Sequence, residues 1–290
     1  MNPSDDTPVV YTNEKGTVRI LVIADLHTNV TEEANRKTWR DVRSFISSTK
    51  PHLLVVLGDV WCGDDQAHEA SDWMNRDLAL LGSLGVPWAF VWGNHDYGID
   101  TYWGNKAISD TPNSLMPENT YNGNYRVQIA ESKSDGRLLW DLYVLNSHTW
   151  SLLPEDVMWF EQESQRLYAT RGRLVPAMVF FHIPLEQFET ARSSGRFNGE
   201  ANEEVGYWGN TASLGQPIIR TRNVRACFVG HSHANDFSFT QDGILFSYAR
   251  ATGYGGYGEK HLQKGAKLIL GKGADIKCKT LFARNTTTSV

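Results

Sequence analysis

Short apolar runs alternate with amphipathic stretches in the first third of the chain. Three of the runs are rich in branched residues and end at turn-forming residues, as buried strands do: 18–24, 53–57 and 88–92. Two stretches between them carry apolar side chains at helical spacing: 32–48 and 67–84. The order strand, helix, strand, helix, strand predicts parallel strands joined by right-handed crossovers.

The hydrophobic period changes to two in the middle of the chain. Residues 125–129 and 138–145 alternate in this way on either side of a turn at 134–136, which predicts a hairpin. The remaining elements are a helix and two apolar runs: near 155–170, at 177–181 and at 226–229. Two mixed sheets packed face to face and covered by helices fit this pattern best. We therefore predict the α/β class and a four-layer α-β-β-α sandwich.

The chain has 290 residues and a mass of 32.6 kDa, a size that layered α/β folds often reach as one domain. We predict a single domain over residues 18–285, with an N-terminal extension at 1–17 and a C-terminal tail at 286–290. Residues 186–222 form the longest stretch without clear periodicity, and they follow the strand that ends at His182. Loops of this length are usually functional or disordered, so we predict a substrate-facing flap, with a mobile surface excursion as the alternative.

Composition and charge exclude several classes of protein. The formal net charge is −5 with a pI near 6.0, and no block of like charges offers a track for nucleic acid. No stretch approaches the roughly eighteen apolar residues that a membrane span needs. The three cysteines are too few and too far apart for a disulfide framework. The N-terminal residues have neither a basic nor an apolar leader region, so we expect a cytoplasmic protein. The oligomeric state stays open.

Histidine and carboxylate residues follow the apolar runs. Five segments stand at the ends of predicted strands: Asp25-Leu26-His27, Gly58-Asp59, Gly93-Asn94-His95-Asp96, His182 and Gly230-His231-Ser232-His233. One buried histidine is commonly satisfied by an ordinary hydrogen bond, but five such segments at one edge of a sheet indicate a shared site. A pair of divalent cations requires mixed oxygen and nitrogen donors and a carboxylate that contacts both ions. The sequence supplies this set of donors.

Seven residues are the predicted metal ligands: Asp25, His27, Asp59, Asn94, His182, His231 and His233. Asp59 is the natural bridge, because the two oxygens of a carboxylate can contact different ions. Asp25 and His27 are two residues apart, so both reach one ion only if the backbone bends just after the strand. Glycine precedes the ligands at 58, 93 and 230, where the backbone must turn sharply or come close to an ion.

The ordered set of motifs resembles the calcineurin-like metallophosphoesterases over residues 19 to about 258. The segments 230–236 and 250–258 are similar to the purple-acid-phosphatase relatives that include the yeast Dcr2-type phosphatases. The resemblance implies two ligand sets: Asp25, His27, Asp59 and His233 for one metal, and Asp59, Asn94, His182 and His231 for the other. It also implies that His95 contacts the scissile phosphate or its leaving oxygen, with Asp96 orienting His95.

One departure from purple acid phosphatases bears on the metals. Those enzymes carry a tyrosine three residues after the bridging aspartate, where this chain has Cys62. They also lack a histidine at the position of His27. We therefore expect two divalent ions, Mn²⁺, Fe²⁺ or Zn²⁺, and no ferric-tyrosinate centre. Cys62 is expected to be a bystander thiol near the site, with metal ligation as the alternative.

The predicted centre implies hydrolysis of phosphoesters. Bound metals lower the pKa of a bridging water, and the resulting hydroxide attacks phosphorus while His95 protonates the leaving oxygen or stabilises its charge. Five residues are the predicted substrate contacts: Asn94, His95, Tyr207, Trp208 and Tyr254. Small or exposed phosphomonoesters are the preferred substrates. The alternatives are a phosphodiesterase acting on nucleotides, cyclic nucleotides or glycerophosphodiesters, and a non-catalytic binding scaffold.

Overall fold

The structure is a computed structural model that describes residues 7–61, 67–98, 101–120, 122–207, 214–258 and 262–283. Cys62, Trp208 and residues 286–290 lie outside the described residues. The described strands are β1 Val9–Tyr11, β2 Thr17–Ile23, β3 Leu53–Leu57, β4 Trp88–Val91, β5 Tyr125–Ala130, β6 Leu138–Val144, β7 Ala177–Phe180, β8 Asn198–Ala201, β9 Val224–Val229, β10 Asn235–Gln241, β11 Ile244–Tyr248, β12 Gly265–Lys272 and β13 Asp275–Phe282. The described helices are α1 Glu32–Thr49, α2 Ala67–Gly82, α3 Thr101–Ser109, α4 Pro154–Arg171, α5 Glu186–Ser194 and α6 Gly215–Thr221, with a short 3-10 helix at Asn94–Gly98.

The smaller sheet has five strands in the order β13-β12-β2-β3-β4. Strands β2, β3 and β4 are parallel, with Ile20 opposite Leu53 and Leu54 opposite Trp88. Helices α1 and α2 make the two crossovers, which confirms the predicted alternation. Strands β12 and β13 extend the sheet as an antiparallel hairpin. Every residue of β3 and β4 is buried, as in parallel strands covered on both faces.

The larger sheet has eight strands in the order β1-β5-β6-β7-β9-β11-β10-β8. Strands β5 and β6 form the predicted antiparallel hairpin, with Tyr125 opposite Val144. Strands β6, β7, β9 and β11 run parallel to one another. The carboxyl ends of these four strands therefore meet at one edge of the sheet.

Alternate residues of the larger sheet face two different cores. Met178 and Phe180 of β7 pack in the core shared with the smaller sheet, which also contains Trp39 of α1. Val179 and Phe181 pack instead in a second core with the buried side chains of α4, α5 and α6. The period of two along a strand sends neighbouring side chains to opposite faces. The layers confirm the predicted α-β-β-α sandwich.

Helix α1 shows how local chemistry sets the element boundaries. The Thr31 side chain accepts a hydrogen bond from the Ala34 N–H at 3.1 Å and caps the first turn. The helix ends at Lys50, whose left-handed backbone precedes Pro51. Across the described ranges, no helix combines the length and the apolar character needed to cross a bilayer.

The segment predicted as an N-terminal extension contributes a strand. Residues Val9–Tyr11 pair in parallel with β5 at the edge of the larger sheet, and β2 already begins at Thr17. The domain therefore includes part of the predicted extension 1–17. A strand of three residues is too short to show an alternating pattern, so the sequence gives no signal for it.

Residues 186–222 do not form the aperiodic loop that was predicted as a flap. Their described part includes α5, β8 and α6. Phe188 of α5 and Ile218 of α6 are buried in the second core. These helices have nine and seven residues, which is shorter than the window in which helical spacing becomes recognisable. Among the described residues of this stretch, Gly206 reaches the strand ends described next, since a Cβ added there would lie 2.5 Å from the His231 ring.

Candidate metal centre

The candidate site lies where the carboxyl ends of five strands from both sheets meet. Asp25, Asp59 and Asn94 follow β2, β3 and β4 of the smaller sheet, and His182 and His231 follow β7 and β9 of the larger one. Backbone hydrogen bonds continue the sheet into these loops, since the Asp25 N–H donates to the Gly58 carbonyl at 3.0 Å. The Gly230 N–H likewise donates to the His182 carbonyl at 3.0 Å. The loops are therefore held at fixed separations.

Four of the predicted ligands have a left-handed backbone, with φ of 54° at Asp25, 45° at His27, 52° at Asp59 and 74° at His231. Residues with a Cβ rarely adopt this conformation, which costs about 1–3 kcal/mol each and tends to occur at functional sites. The bend turns Asp25 and His27 toward the same space, although they are two residues apart. The sequence-based requirement for a sharp bend after β2 is met in this way.

Two groups of side chains have ligand atoms within 4.8 Å of one another. The first, which we call the covered set, contains Asp25, His27, Asp59 and His233, and the second, the open set, contains Asp59, His182 and His231. Asn94 stands in the 3-10 helix after β4, next to His95, whose N–H contacts the shared Asp59. The His233 Nε2 atom lies 3.4 Å from Asp25 Oδ1, and the His182 Nε2 atom lies 3.0 Å from Asp59 Oδ2. Asp59 belongs to both sets, as a bridging carboxylate must.

Asn94 Oδ1 is buried without a hydrogen-bond partner, and Asp59 Oδ2 and His182 Nε2 are buried facing each other at 3.0 Å. A buried polar atom without a partner costs roughly 1–3 kcal/mol, so such an atom normally occurs where a ligand completes it. Carboxylate and amide oxygens and the Nε2 atom of a neutral imidazole are ligands that divalent transition metals accept. The residues present therefore fit a pair of divalent cations.

Hydrogen bonds behind the imidazoles fix which ring nitrogen faces the centre. The His182 Nδ1–H donates to the Leu57 carbonyl at 2.8 Å. The His233 Nδ1–H donates to the Tyr257 carbonyl at 3.2 Å. A backbone carbonyl only accepts, so Nδ1 carries the proton in both rings and Nε2 is directed to the carboxylates. Partners of this kind orient metal-binding histidines in proteins.

Burial and charge set the protonation of the metal-free site. Burial lowers the pKa of His27 to about 3 and that of His231 to about 4, so both rings are neutral at pH 7. Burial also acts to lower the pKa of His182, but the charges of Asp59 and Asp25 outweigh it and raise that pKa to about 9. Burial opposes ionisation of the two carboxyl groups, yet the nearby histidines hold their pKa values below the usual range. The carboxylates therefore stay charged and available to cations.

Asp96 has a different task from the one the resemblance implies. Its carboxylate accepts hydrogen bonds from the backbone N–H groups of Asp59, Val60 and Gly93, each at 2.9 Å, and of Trp61 at 3.1 Å. These bonds fasten the loop after β3 to the loop after β4. The expectation that Asp96 orients the His95 ring is replaced by this backbone role, because both of its oxygens point to the Asp59 loop. The His95 N–H in turn donates to Asp59 Oδ1 at 2.9 Å.

Comparison with known proteins agrees with this geometry. The model of the family described as calcineurin-like phosphoesterase matches residues 18–235, which include all seven predicted ligands. The chain belongs to the calcineurin-like phosphoesterase family. A solved dimetal phosphatase from Danio rerio has the same fold as this phosphoesterase-family chain, with a TM-score of 0.56 at 12% identity over 92% of this chain and 99% of that one.

Two curated relatives extend the comparison. The probable inactive purple acid phosphatase 29 of Arabidopsis thaliana is 28% identical over 78% of this chain and 65% of its own length. The phosphatase DCR2 of Saccharomyces cerevisiae is 29% identical over 79% of this chain and 46% of its own length. This phosphoesterase-family chain thus spans less than two thirds of the length of either relative.

A glycine-rich segment of the phosphoesterase domain, residues 253–258, lies directly on the covered set. A Cβ added at Gly253 would lie 1.9 Å from the Leu26 carbonyl oxygen, and one at Gly256 would lie 2.5 Å from Cε1 of His233. A side chain at either position would force the neighbouring atoms to shift. The repeated glycines are visible in the sequence. The tertiary structure shows why they are needed, because the backbone of this segment lies close to the ligands.

The predicted substrate contacts divide into two groups. Asn94 and His95 lie at the site, in the 3-10 helix that follows β4. Tyr254 does not, because its hydroxyl donates to Asp41 of α1 at 2.8 Å and its N–H donates to Thr38 at 3.1 Å. Tyr207 packs against the second core, so its ring is partly buried within the protein. Trp208 lies outside the described residues.

Tyr257 is a site residue that the sequence-based prediction missed. Its ring stacks on His233 with a centroid distance of 4.1 Å and an interplanar angle of 16°, while 58% of the residue remains exposed. It therefore forms part of the wall at the mouth of the covered set. Aromatic side chains with one packed face and one open face commonly line small-molecule sites.

Proposed function

We propose that this chain hydrolyses phosphomonoesters at a centre of two divalent cations. The observation that carries the proposal is the pair of ligand sets that share Asp59, together with a buried Asn94 Oδ1 that has no hydrogen-bond partner. Membership of the calcineurin-like phosphoesterase family supports the same reaction class. Divalent cations bound to these residues would neutralise phosphoryl oxygens and acidify water for attack on phosphorus.

The protein groups have separate tasks in this proposal. Asp25, Asp59 and the histidines of both sets would hold the cations, and Asn94 would add a neutral oxygen donor. His95, whose N–H is fixed by Asp59 at 2.9 Å, presents its imidazole to the substrate. An imidazole near a leaving oxygen can donate a proton or stabilise the charge that develops there.

The preference for monoesters rests on charge and on similarity. The formal net charge is −5, and no basic stretch is present that would follow the backbone of a polymeric diester. The yeast relative is named a phosphatase. Mn²⁺, Fe²⁺ or Zn²⁺ suits the mixed oxygen and nitrogen donors, and we expect a colourless protein. A violet absorption band that disappears on reduction would contradict that metal assignment.

A non-catalytic scaffold is the second candidate, because the Arabidopsis relative is named probable inactive. The two candidates differ in what they require of the ligand set. All seven predicted ligands are present in this chain; six of them form the two sets, and Asn94 stands in the 3-10 helix that follows β4. A scaffold without metals would leave Asn94 Oδ1 buried without a partner.

The test is a substrate screen of the protein reconstituted with Mn²⁺, together with elemental analysis. The substrates are p-nitrophenyl phosphate, bis-p-nitrophenyl phosphate, cyclic AMP, nucleotides, phosphopeptides and glycerophosphodiesters. We expect about two metals per chain and the highest kcat/KM for a monoester. A diester preferred by more than about tenfold, roughly 1.4 kcal/mol, would establish a phosphodiesterase instead. Fewer than about one metal per chain, with no turnover, would establish the scaffold.

A further inference from the structure

A chain of hydrogen bonds connects helix α4 to the 3-10 helix that carries Asn94 and His95. Asp156 of α4 contacts His148, with 2.8 Å between Oδ2 and Nε2. The His148 Nδ1 atom lies 3.0 Å from the Tyr97 hydroxyl, which also contacts Asn146 Oδ1 at 2.8 Å. Tyr97 stands two residues after His95 in the same short helix. Neither His148 nor Asp156 takes part in the metal sets.

The protons along this chain are partly determined by chemistry. An ionised carboxylate only accepts, so the His148 Nε2 atom carries a hydrogen and donates it to Asp156. The other oxygen of Asp156 accepts from the Asn124 side chain at 2.7 Å, and the Leu153 N–H donates to Oδ2 at 2.8 Å. Asp156 is fully buried and has these fixed partners. It therefore holds the His148 ring in one orientation.

The position of His148 links it to the metal centre through the larger sheet. It stands just beyond β6, next to β7, the strand that delivers His182. The Ile183 N–H donates to the Ser147 hydroxyl at 3.0 Å, which ties the two strand ends together. His148 has the same left-handed backbone as four of the ligands, with φ of 51°. This backbone conformation is strained, and it places the His148 ring between Asp156 and Tyr97.

The 3-10 helix is thus anchored on two sides. Asp96 fastens it to the Asp59 loop of the smaller sheet through three backbone N–H groups. Tyr97 fastens it to the end of β6 in the larger sheet. The anchor made by Asp96 joins the helix to a loop that carries a ligand, Asp59. The anchor made by Tyr97 depends on His148, Asn146 and Asp156. The placement of Asn94 and His95 between the sheets depends on both.

We propose that His148 is a positioning residue of the reaction. Held by Asp156, it fixes Tyr97 and through Tyr97 the helix that presents Asn94 and His95 to the substrate. The inference rests on the proposed function, since it assigns His95 to the phosphoester. Small displacements of a reacting group reduce the rate steeply, so the effect belongs in kcat more than in KM.

A double-mutant cycle tests the proposal, with His148→Ala, Tyr97→Phe and the double variant reconstituted with Mn²⁺. Each single change should lower kcat for p-nitrophenyl phosphate about tenfold, with KM within about twofold and metal content retained. The double variant should lose about tenfold as well, because both changes interrupt one connection. His148→Gln, which keeps a donor, should recover part of the loss. His52→Ala is the matched control, since His52 contacts Arg19 at the end of β3 opposite to Asp59. The kcat of this variant should stay within about twofold of wild type.

A second readout does not need turnover. In protein with ¹³C-labelled histidine, the His95 ring resonances should shift in His148→Ala and in Tyr97→Phe, and remain in place in His52→Ala. Losses that multiply to about a hundredfold in the double variant would overturn the proposal, as would unchanged His95 resonances. A wild-type protein without any phosphoesterase activity would refute the proposed function, while the resonances would still decide whether His148 positions His95.

Discussion

The covered set and the open set share Asp59 but differ in their surroundings. Every member of the covered set is buried, and the glycine-rich segment 253–258 lies against His27 and His233. In the open set His231 is half-buried, and so are Asn94 and His95 of the 3-10 helix. The covered set is therefore the more deeply buried of the two.

The difference indicates a division of tasks between the two ion positions. Burial of all four ligands, with the glycine-rich segment against His27 and His233, restricts exchange of ligands in the covered set. His95 adjoins both sets, because its N–H donates to the shared Asp59 and its ring lies 5.2 Å from the His27 ring. We therefore expect the cation of the covered set to be held more firmly, and that of the open set to be the more exchangeable one.

Asp59→Asn should have the largest effect because it weakens the only carboxylate that both sets share. We expect loss of both metals, measured by elemental analysis, and turnover below detection. Asp141→Asn is the control, since this buried carboxylate pairs with Arg126 and Arg171 away from the centre. It should lower the melting temperature and keep two metals. Full metal content in Asp59→Asn would show that Asp59 does not bridge.

His95→Ala should leave both sets intact and still remove most of the activity. The expected result is two metals per chain with kcat reduced about 10²-fold or more, as for loss of a general acid or a charge-stabilising group. The measurement is steady-state kinetics with parallel metal analysis. If this variant loses a metal, then His95 supports the ligands and is not a substrate contact.

Gly256→Ala should weaken the covered set alone. The new Cβ would lie 2.5 Å from the His233 ring and 2.8 Å from the His27 ring, so both imidazoles must move. We expect the affinity for one of two Mn²⁺ ions to fall about 10- to 100-fold by calorimetry, as when second-sphere partners of a ligand are lost. Gly136→Ala, where the added Cβ meets open space, should change neither affinity. Two unchanged affinities in Gly256→Ala would remove the basis for calling this set covered.

Metal removal should have the smallest effect, a change in how the melting temperature depends on pH, which arises from protonation of His182 in the open set. Asp59 and Asp25 raise its folded-state pKa to about 9, above an unfolded value near 6.5. The protonated ring therefore stabilises the metal-free protein below pH 6.5, and this contribution is lost as the pH rises through 9. We expect the melting temperature of the chelated protein to fall over this range, and to fall less in His182→Gln. Equal slopes in the two proteins would contradict the assignment.

The fold was largely predictable because its strongest signals are local. Buried parallel strands give continuous apolar runs, and the runs at β2, β3 and β4 were predicted to within one or two residues. The hairpin of β5 and β6 gave a period of two on both sides of a turn. Strand β1, with three residues, and helix α5, with nine, escaped prediction because a periodic pattern needs more repeats than these elements contain.

The identity of the candidate ligands was determined by the sequence alone, because metal binding requires particular side chains and parallel strands deliver their ends to one edge. The tertiary structure decided which residues surround these ligands and which partners they contact. Asp96 bonds a loop 35 residues away, Tyr254 turns to α1, and Tyr257 stacks on His233. These contacts join residues far apart in the chain, so no local period or spacing encodes them, and packing between the two sheets selects each partner.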